Sequence, residues 1–202
     1  MGLMERRSRK AECVLLALVW LAMPISESEA FDGKREGLML NLGFGVHLMS
    51  RKILINGFTS ESNTVPGAAT HLKLGYGLKN GVLVYYAHDS AWYKRLMNVA
   101  GQPRHVSALL GLRGIGASRF LRAPYQRVNV SGALGFGVRD TPTTSTVRTD
   151  RGFAVQAGVG YFLQRNVQVE LRHYFTWIED ASSPEKDLRH SATTLTMQYV
   201  WF

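Results

Sequence analysis

Between Gly152 and Phe175 the chain reads GFAVQAGVGYFLQRNVQVELRHYF, two stretches of alternating character around a short polar break. Successive side chains of a strand point to opposite faces, so a period of two prescribes two opposed strands rather than an amphipathic helix. In the first stretch Phe153, Val155, Ala157, Val159 and Tyr161 share a greasy face, against Ala154, Gln156, Gly158, Gly160 and Phe162. In the second, Val167, Val169, Leu171 and Phe175 oppose Gln168, Glu170, Arg172 and Tyr174. A soluble sandwich would hide the greasy face under a second sheet and leave the polar face in water. A membrane barrel inverts this: apolar side chains meet lipid, and small, polar and ionisable ones turn inward.

The N-terminus points the same way. Arg6, Arg7, Arg9 and Lys10 precede an apolar run from Cys13 to Ile25, and Ser26-Glu27-Ser28-Glu29-Ala30 places small residues at the last and third-last positions. This predicts a secretory signal over residues 1–30, cleaved after Ala30, and a mature domain over residues 31–202. The run is shorter than the roughly 20 residues a spanning helix needs, and Pro24 interrupts it. The single cysteine, Cys13, lies in the signal, so the mature chain is expected to have no disulfide, thiol chemistry or thiolate metal site. No apolar stretch after Ala30 approaches spanning-helix length, whereas a barrel strand needs only about 10 alternating residues. Arg and Lys in the signal are balanced by Glu5, Glu12, Glu27 and Glu29, so the formal net charge of +9 belongs to the mature chain.

The alternation recurs along that chain, in Gly37 to Leu48, Ala68 to Leu78, Val82 to His88, about Arg104 to Gly114, Arg127 to Val138 and Ser191 to Phe202. On the fourth of the resulting strands Ala108, Leu110 and Leu112 are predicted outward, with Ser107, Gly111 and Arg113 inward. On the fifth, Val128, Val130, Leu134, Phe136 and Val138 are predicted outward against Arg127, Asn129, Ser131, Ala133, Gly135 and Gly137. The third is apolar on both faces, which leaves its register open. Lys79-Asn80-Gly81 is a strong hairpin signal, since Asn-Gly tolerates the positive φ of a tight turn. Polar, irregular composition predicts long loops at Met49 to Gly67, Asp89 to Pro103, Arg139 to Arg151 and Ile178 to His190. Eight strands, with every second connection short, predict a closed antiparallel eight-stranded transmembrane β-barrel. With the long loops outside, Trp92, Tyr93, Phe136, Phe153, Phe175 and Trp177 fall at one end. Tyr76, Phe120, Tyr125, Tyr161, Tyr199, Trp201 and Phe202 fall at the other. These are the two girdles that membrane interfaces favour.

With its Gly-rich VNVSGALGFGV and AVQAGVGYF, the strand VQVELRHYF and a terminal aromatic, the mature chain resembles the small outer-membrane barrels of Gram-negative bacteria, the OmpA-like, OmpX-like and opacity-type porins. The resemblance implies residence in the cell outer membrane, contact with outer-membrane lipids and lipopolysaccharide, and a monomer. It also implies that Phe202 serves as recognition signal for the barrel assembly machinery. That family turns its terminal Phe outward, whereas Met197, Tyr199 and Trp201 form the more apolar series here, so the two give opposite registers for the last strand.

The expected inward residues are Lys73, Arg113, Arg127, Arg172, His47 and His71, with Glu170 as their acid. An eight-stranded barrel is just wide enough for side chains to fill, so Glu170 is expected to pair with a base in a network that plugs the lumen. The alternative is a narrow anion-preferring pore. His173 falls on the lipid-facing parity, where the expected reason is anchoring at the headgroups. In the lipid A deacylases, a His-x-Ser on the outer wall is catalytic. Here the triplet is His173-Tyr174-Phe175, without the nucleophile an imidazole would activate, so no enzyme and no cofactor are expected. The basic excess at Arg51, Lys52, Lys94, Arg95, Arg104, Arg148 and Arg151 is expected to meet lipopolysaccharide phosphates; a nucleic-acid partner fails on location.

Overall fold

The computed structural model describes residues 36–55, 58–78, 81–99, 102–121, 127–142, 147–179 and 186–202. The predicted signal lies outside these residues, as do Lys79, Asn80 and Tyr125. Eight strands follow in order: β1 (Gly37–Ile55), β2 (Phe58–Gly77), β3 (Val82–Val99), β4 (Gln102–Phe120), β5 (Val128–Pro142), β6 (Val147–Phe162), β7 (Val167–Glu179) and β8 (Lys186–Trp201). Each pairs antiparallel with its neighbour, and β8 returns to β1, closing the barrel.

The register fixes its shape. Cα partners lead from Gly37 through Gly77, Leu83, Ser118, Ser131, Gly158, Arg172 and Thr194 back to β1 at His47. The return falls ten residues along the strand, 47 less 37. This stagger tilts the strands and sets a lumen that side chains can fill. At the β2–β3 turn Gly81 takes φ +69°, and Leu78 N–H donates to the Val82 carbonyl at 2.8 Å. The side chain missing from Gly81 is what makes that backbone inexpensive.

The predicted long loops are largely strand. β1 and β2 run for 19 and 20 residues and pair as far as Ile55 and Phe58, while β3 and β4 pair as far as Val99 and Gln102. Beyond the lipid both faces of a hairpin can be wet, so pairing persists without the alternation that signals a half-buried strand. The third strand's register is settled by Leu83, Tyr85 and Ala87, which are buried, against exposed Val84 and Tyr86. In β8 Leu195, Met197 and Trp201 are exposed while Thr194, Thr196, Gln198 and Val200 are buried, so the more apolar series faces out. Phe202 follows the strand and is exposed.

Inside, one apolar cluster includes Met39, Leu83, Phe162 and Val200 near the short turns, with Phe120 packed on it. A second includes Met49, Tyr93, Leu110, Tyr174, Ile178 and Leu188 toward the long hairpins. Phe120 and Tyr93 therefore leave the predicted girdles for the interior.

Candidate functional site in the lumen

Glu170 on β7 is fully buried and organises the polar layer of the lumen. Lys73 on β2 donates from Nζ to both of its oxygens at 2.9 Å, Ser131 on β5 donates to Oε1 at 2.7 Å, and Gln198 on β8 donates to Oε2 at 2.6 Å. Asn41 on β1 then donates to Gln198 Oε1 at 2.7 Å. A carboxylate accepting several charge-assisted or aligned bonds offsets much of the cost of leaving water. Lys73 also lies 4.8 Å above the Tyr85 ring centre, a second favourable contact for its charge.

Arg172, two residues along β7, shares the inward face. Its Nη1 pairs with Asp89 on β3, which also bonds His71 Nδ1, and its Nη2 donates to Thr196 at 3.2 Å. The two halves touch: Arg172 Nε stands 3.8 Å and His71 Nε2 3.9 Å from Glu170 Oε2. Glu170 and Asp89 thus face Lys73 and Arg172, a balanced set carried by three different strands. Nearer the long hairpins a separate buried pair spans a single rung between β5 and β6, Arg139 donating to Asp150 at 3.1 and 2.7 Å. Gly158 makes room for this layer, since a Cβ there would lie 2.6 Å from Arg172 Cγ and 2.8 Å from Ser131 Oγ.

Of the residues expected in the lumen, Lys73, Glu170, Arg172, His47 and His71 are buried there. Arg113 and Arg127 are not, which corrects the sequence reading. Arg113 is exposed on the outer face of β4, because Ala108, Leu110 and Leu112 turn inward, at most 1% exposed, the first two into the cluster of Ala91, Tyr93 and Tyr174 and Leu112 into that of Tyr85 and Ala87. Period-two alternation separates two faces but does not say which is inside, and this lumen is partly apolar. Arg127 precedes β5 at the rim, where its carbonyl accepts the Phe162 N–H at 2.8 Å; it is exposed because the barrel wall has ended. Asp89 lies in a stretch that composition predicts to be a loop, so it is absent from the expected lumen set. The signal was the continuation Leu83, Tyr85, Ala87, Asp89, Ala91, Tyr93 at a single parity.

On the outer wall, His173 shares a 2.9 Å hydrogen bond with Thr193 and meets Phe175 edge-on, ring centres 4.5 Å apart. The expected reason for its place was a reach to headgroups; a cross-strand partner supplies one instead.

No protein-family model matches the chain, and no curated protein matches it in sequence. Solved structures do share its fold. Ail, the attachment invasion locus protein of Yersinia pestis, is 14% identical over 82% of this chain and 99% of its own, with a TM-score of 0.54. Neisserial surface protein A is 12% identical over 81% of this chain and 96% of its own, with a TM-score of 0.53. Both are small bacterial outer-membrane barrels, and the fold of this chain is theirs.

Proposed function

We propose that this chain, having the fold of small outer-membrane barrels, resides in the outer membrane as a structural or surface-interacting barrel whose lumen is plugged. The observation that carries the plug is the pairing of buried Glu170 and Asp89 with Lys73 and Arg172. An ion entering this layer would have to replace contacts of 2.6 to 2.9 Å around Glu170 that compensate for lost water. It would also pass apolar clusters on either side, whose side chains replace none of its hydration shell.

The anion-preferring pore rested on an excess of inward base. With Arg113 and Arg127 on the outside and Asp89 within, that excess is gone. The surface role draws on the long β1–β2 and β3–β4 hairpins, which carry strand pairing well past the aromatic girdle. The wall histidine bonds a threonine hydroxyl rather than a serine, and that bond to Thr193 is read as satisfaction of a lipid-facing polar group rather than as a catalytic dyad. Planar-bilayer recording of the refolded barrel tests the lumen: no stable conductance is expected, and a reproducible anion-selective conductance that changes on Glu170→Ala would refute the plug.

A further inference from the structure

Arg113 is exposed on the outward face of β4, and its Cα partner on β3 is His88, half-buried and also facing out. Among the described residues neither side chain has a hydrogen-bond or ion-pair partner.

Their height follows from the register. The closed ring climbs ten residues over eight strands, about 1.25 residues at each step to the next strand. The row of Cα partners Arg113, Phe136, Phe153, Trp177 therefore rises toward the long hairpins. Arg113 lies three steps below Trp177, about 9 Å along the membrane normal at ~3.3 Å per residue and ~40° of tilt. Tyr161, eight residues down β6 from Phe153, is about 14 Å below Arg113 by the same measure. His88 is one step lower than Arg113. Both therefore stand well inside the apolar band, near its middle, and not at the rim.

The wall around them is polar as well. Ser90 on β3 pairs with Gly111 on one side and with Thr70 on the other, and the Trp92 indole donates to Thr70 Oγ1 at 3.4 Å. Ser90 and Gly111 are buried although they face outward, which leaves a recess between Trp92 and Arg113. At the same heights β1 shows lipid exposed Phe44, Val46 and Leu48.

A cation at this depth is costly on a lipid-facing wall, and ionisable groups within a membrane are normally paired. The possible occupants differ in what they bring there. Lipid phosphates lie with the headgroups, above the aromatic girdle. A second copy of the chain brings no anion, because the described outward positions between the two girdles hold no Asp or Glu. A different protein that crosses the membrane with a carboxylate on its own surface meets the requirement.

We propose that the β2–β4 wall around Arg113 is an intramembrane docking surface for such a protein, whose spanning segment presents an Asp or Glu carboxylate to the Arg113 guanidinium. His88 stands beside that pair as a second polar contact, and the recess at Ser90 and Gly111 lets the partner's backbone come close. The inference rests on the outer-membrane reading above.

The test uses the barrel refolded into phosphatidylcholine vesicles with a leucine-rich spanning peptide that carries one central Asp, and with its Asn counterpart. Association is read by energy transfer from the barrel tryptophans to a dansyl group on the peptide. The Asp peptide should associate about tenfold more tightly than the Asn peptide. Arg113→Leu should abolish that preference and Arg113→Lys should keep it, while Arg119→Leu, low on the same strand, should leave it unchanged. Arg113→Leu should also raise the urea midpoint of the barrel alone, because an unmet cation leaves the lipid-facing wall. Equal association of the two peptides, a preference that survives Arg113→Leu, or a lowered urea midpoint would overturn the assignment. Loss of the preference when a fifth of the lipid is phosphatidylglycerol would overturn it too, by giving Arg113 to lipid phosphate. A native protein that fails to insert as a heat-modifiable barrel would instead overturn the membrane reading.

Discussion

Removing the carboxylate of Glu170 should expose how the lumen is held. The side chains of Glu170 and Lys73 are 0% and 4% exposed, and Glu170→Ala takes from Lys73 two bonds of 2.9 Å while depriving Ser131 and Gln198 of their acceptor. Breaking one side of a buried ion pair costs about 3–5 kcal/mol, because the remaining charge stays buried without its partner. The lower end, about 3 kcal/mol, is expected here, since Lys73 keeps the face of Tyr85 at 4.8 Å and Arg172 keeps Asp89. Replacing both partners by apolar residues of similar size, Glu170→Leu with Lys73→Met, should recover about 2 kcal/mol of that loss, because no charge is then left alone while Ser131 and Gln198 still lack their acceptor. Urea titration of the barrel folded in phospholipid vesicles, followed by tryptophan emission and heat-modifiable mobility, measures both. A single variant within about 1 kcal/mol of native, or a double variant as unstable as the sum of its singles, would refute the reasoning.

Thr193→Val should cost about 1–2 kcal/mol by leaving the His173 imidazole without its 2.9 Å partner on the lipid-facing wall. Adding His173→Phe should restore stability, and mass spectrometry of lipid A incubated with the native barrel or either variant should show no lost acyl chain. Gly158→Val should cost about 1–3 kcal/mol in the same urea assay, since even its Cβ would press on Arg172 and Ser131. Gly132→Val, on the outer face, should be tolerated, because a Cβ there meets only the Gln156 carbonyl at 3.7 Å.

The eight strands, their antiparallel order and the inward face of β1, β2, β6 and β7 are local properties. Alternation around Lys73, Glu170 and Arg172 is strict and the faces differ sharply, so parity alone puts those three residues together in the lumen. The β4 parity failed for a physical reason: Ala108, Leu110 and Leu112 are as apolar as a lipid-facing set, and only the packing of Tyr93, Tyr174 and Ile178 with the first two, and of Tyr85 and Ala87 with Leu112, makes an inner surface that accepts them. Arg113 goes outward with that choice. Asp89 was hidden because the residues after it lose their contrast between faces, while the partner strand β4 continues to bond them. What joins Asp89 on β3 to Arg172 on β7 is closure of the sheet with a ten-residue stagger, a sum over every register in the ring that no single stretch encodes. The sequence determined which residues could face inward together; the tertiary structure decided which of them meet, because side chains from opposite walls come within reach only once the barrel is closed.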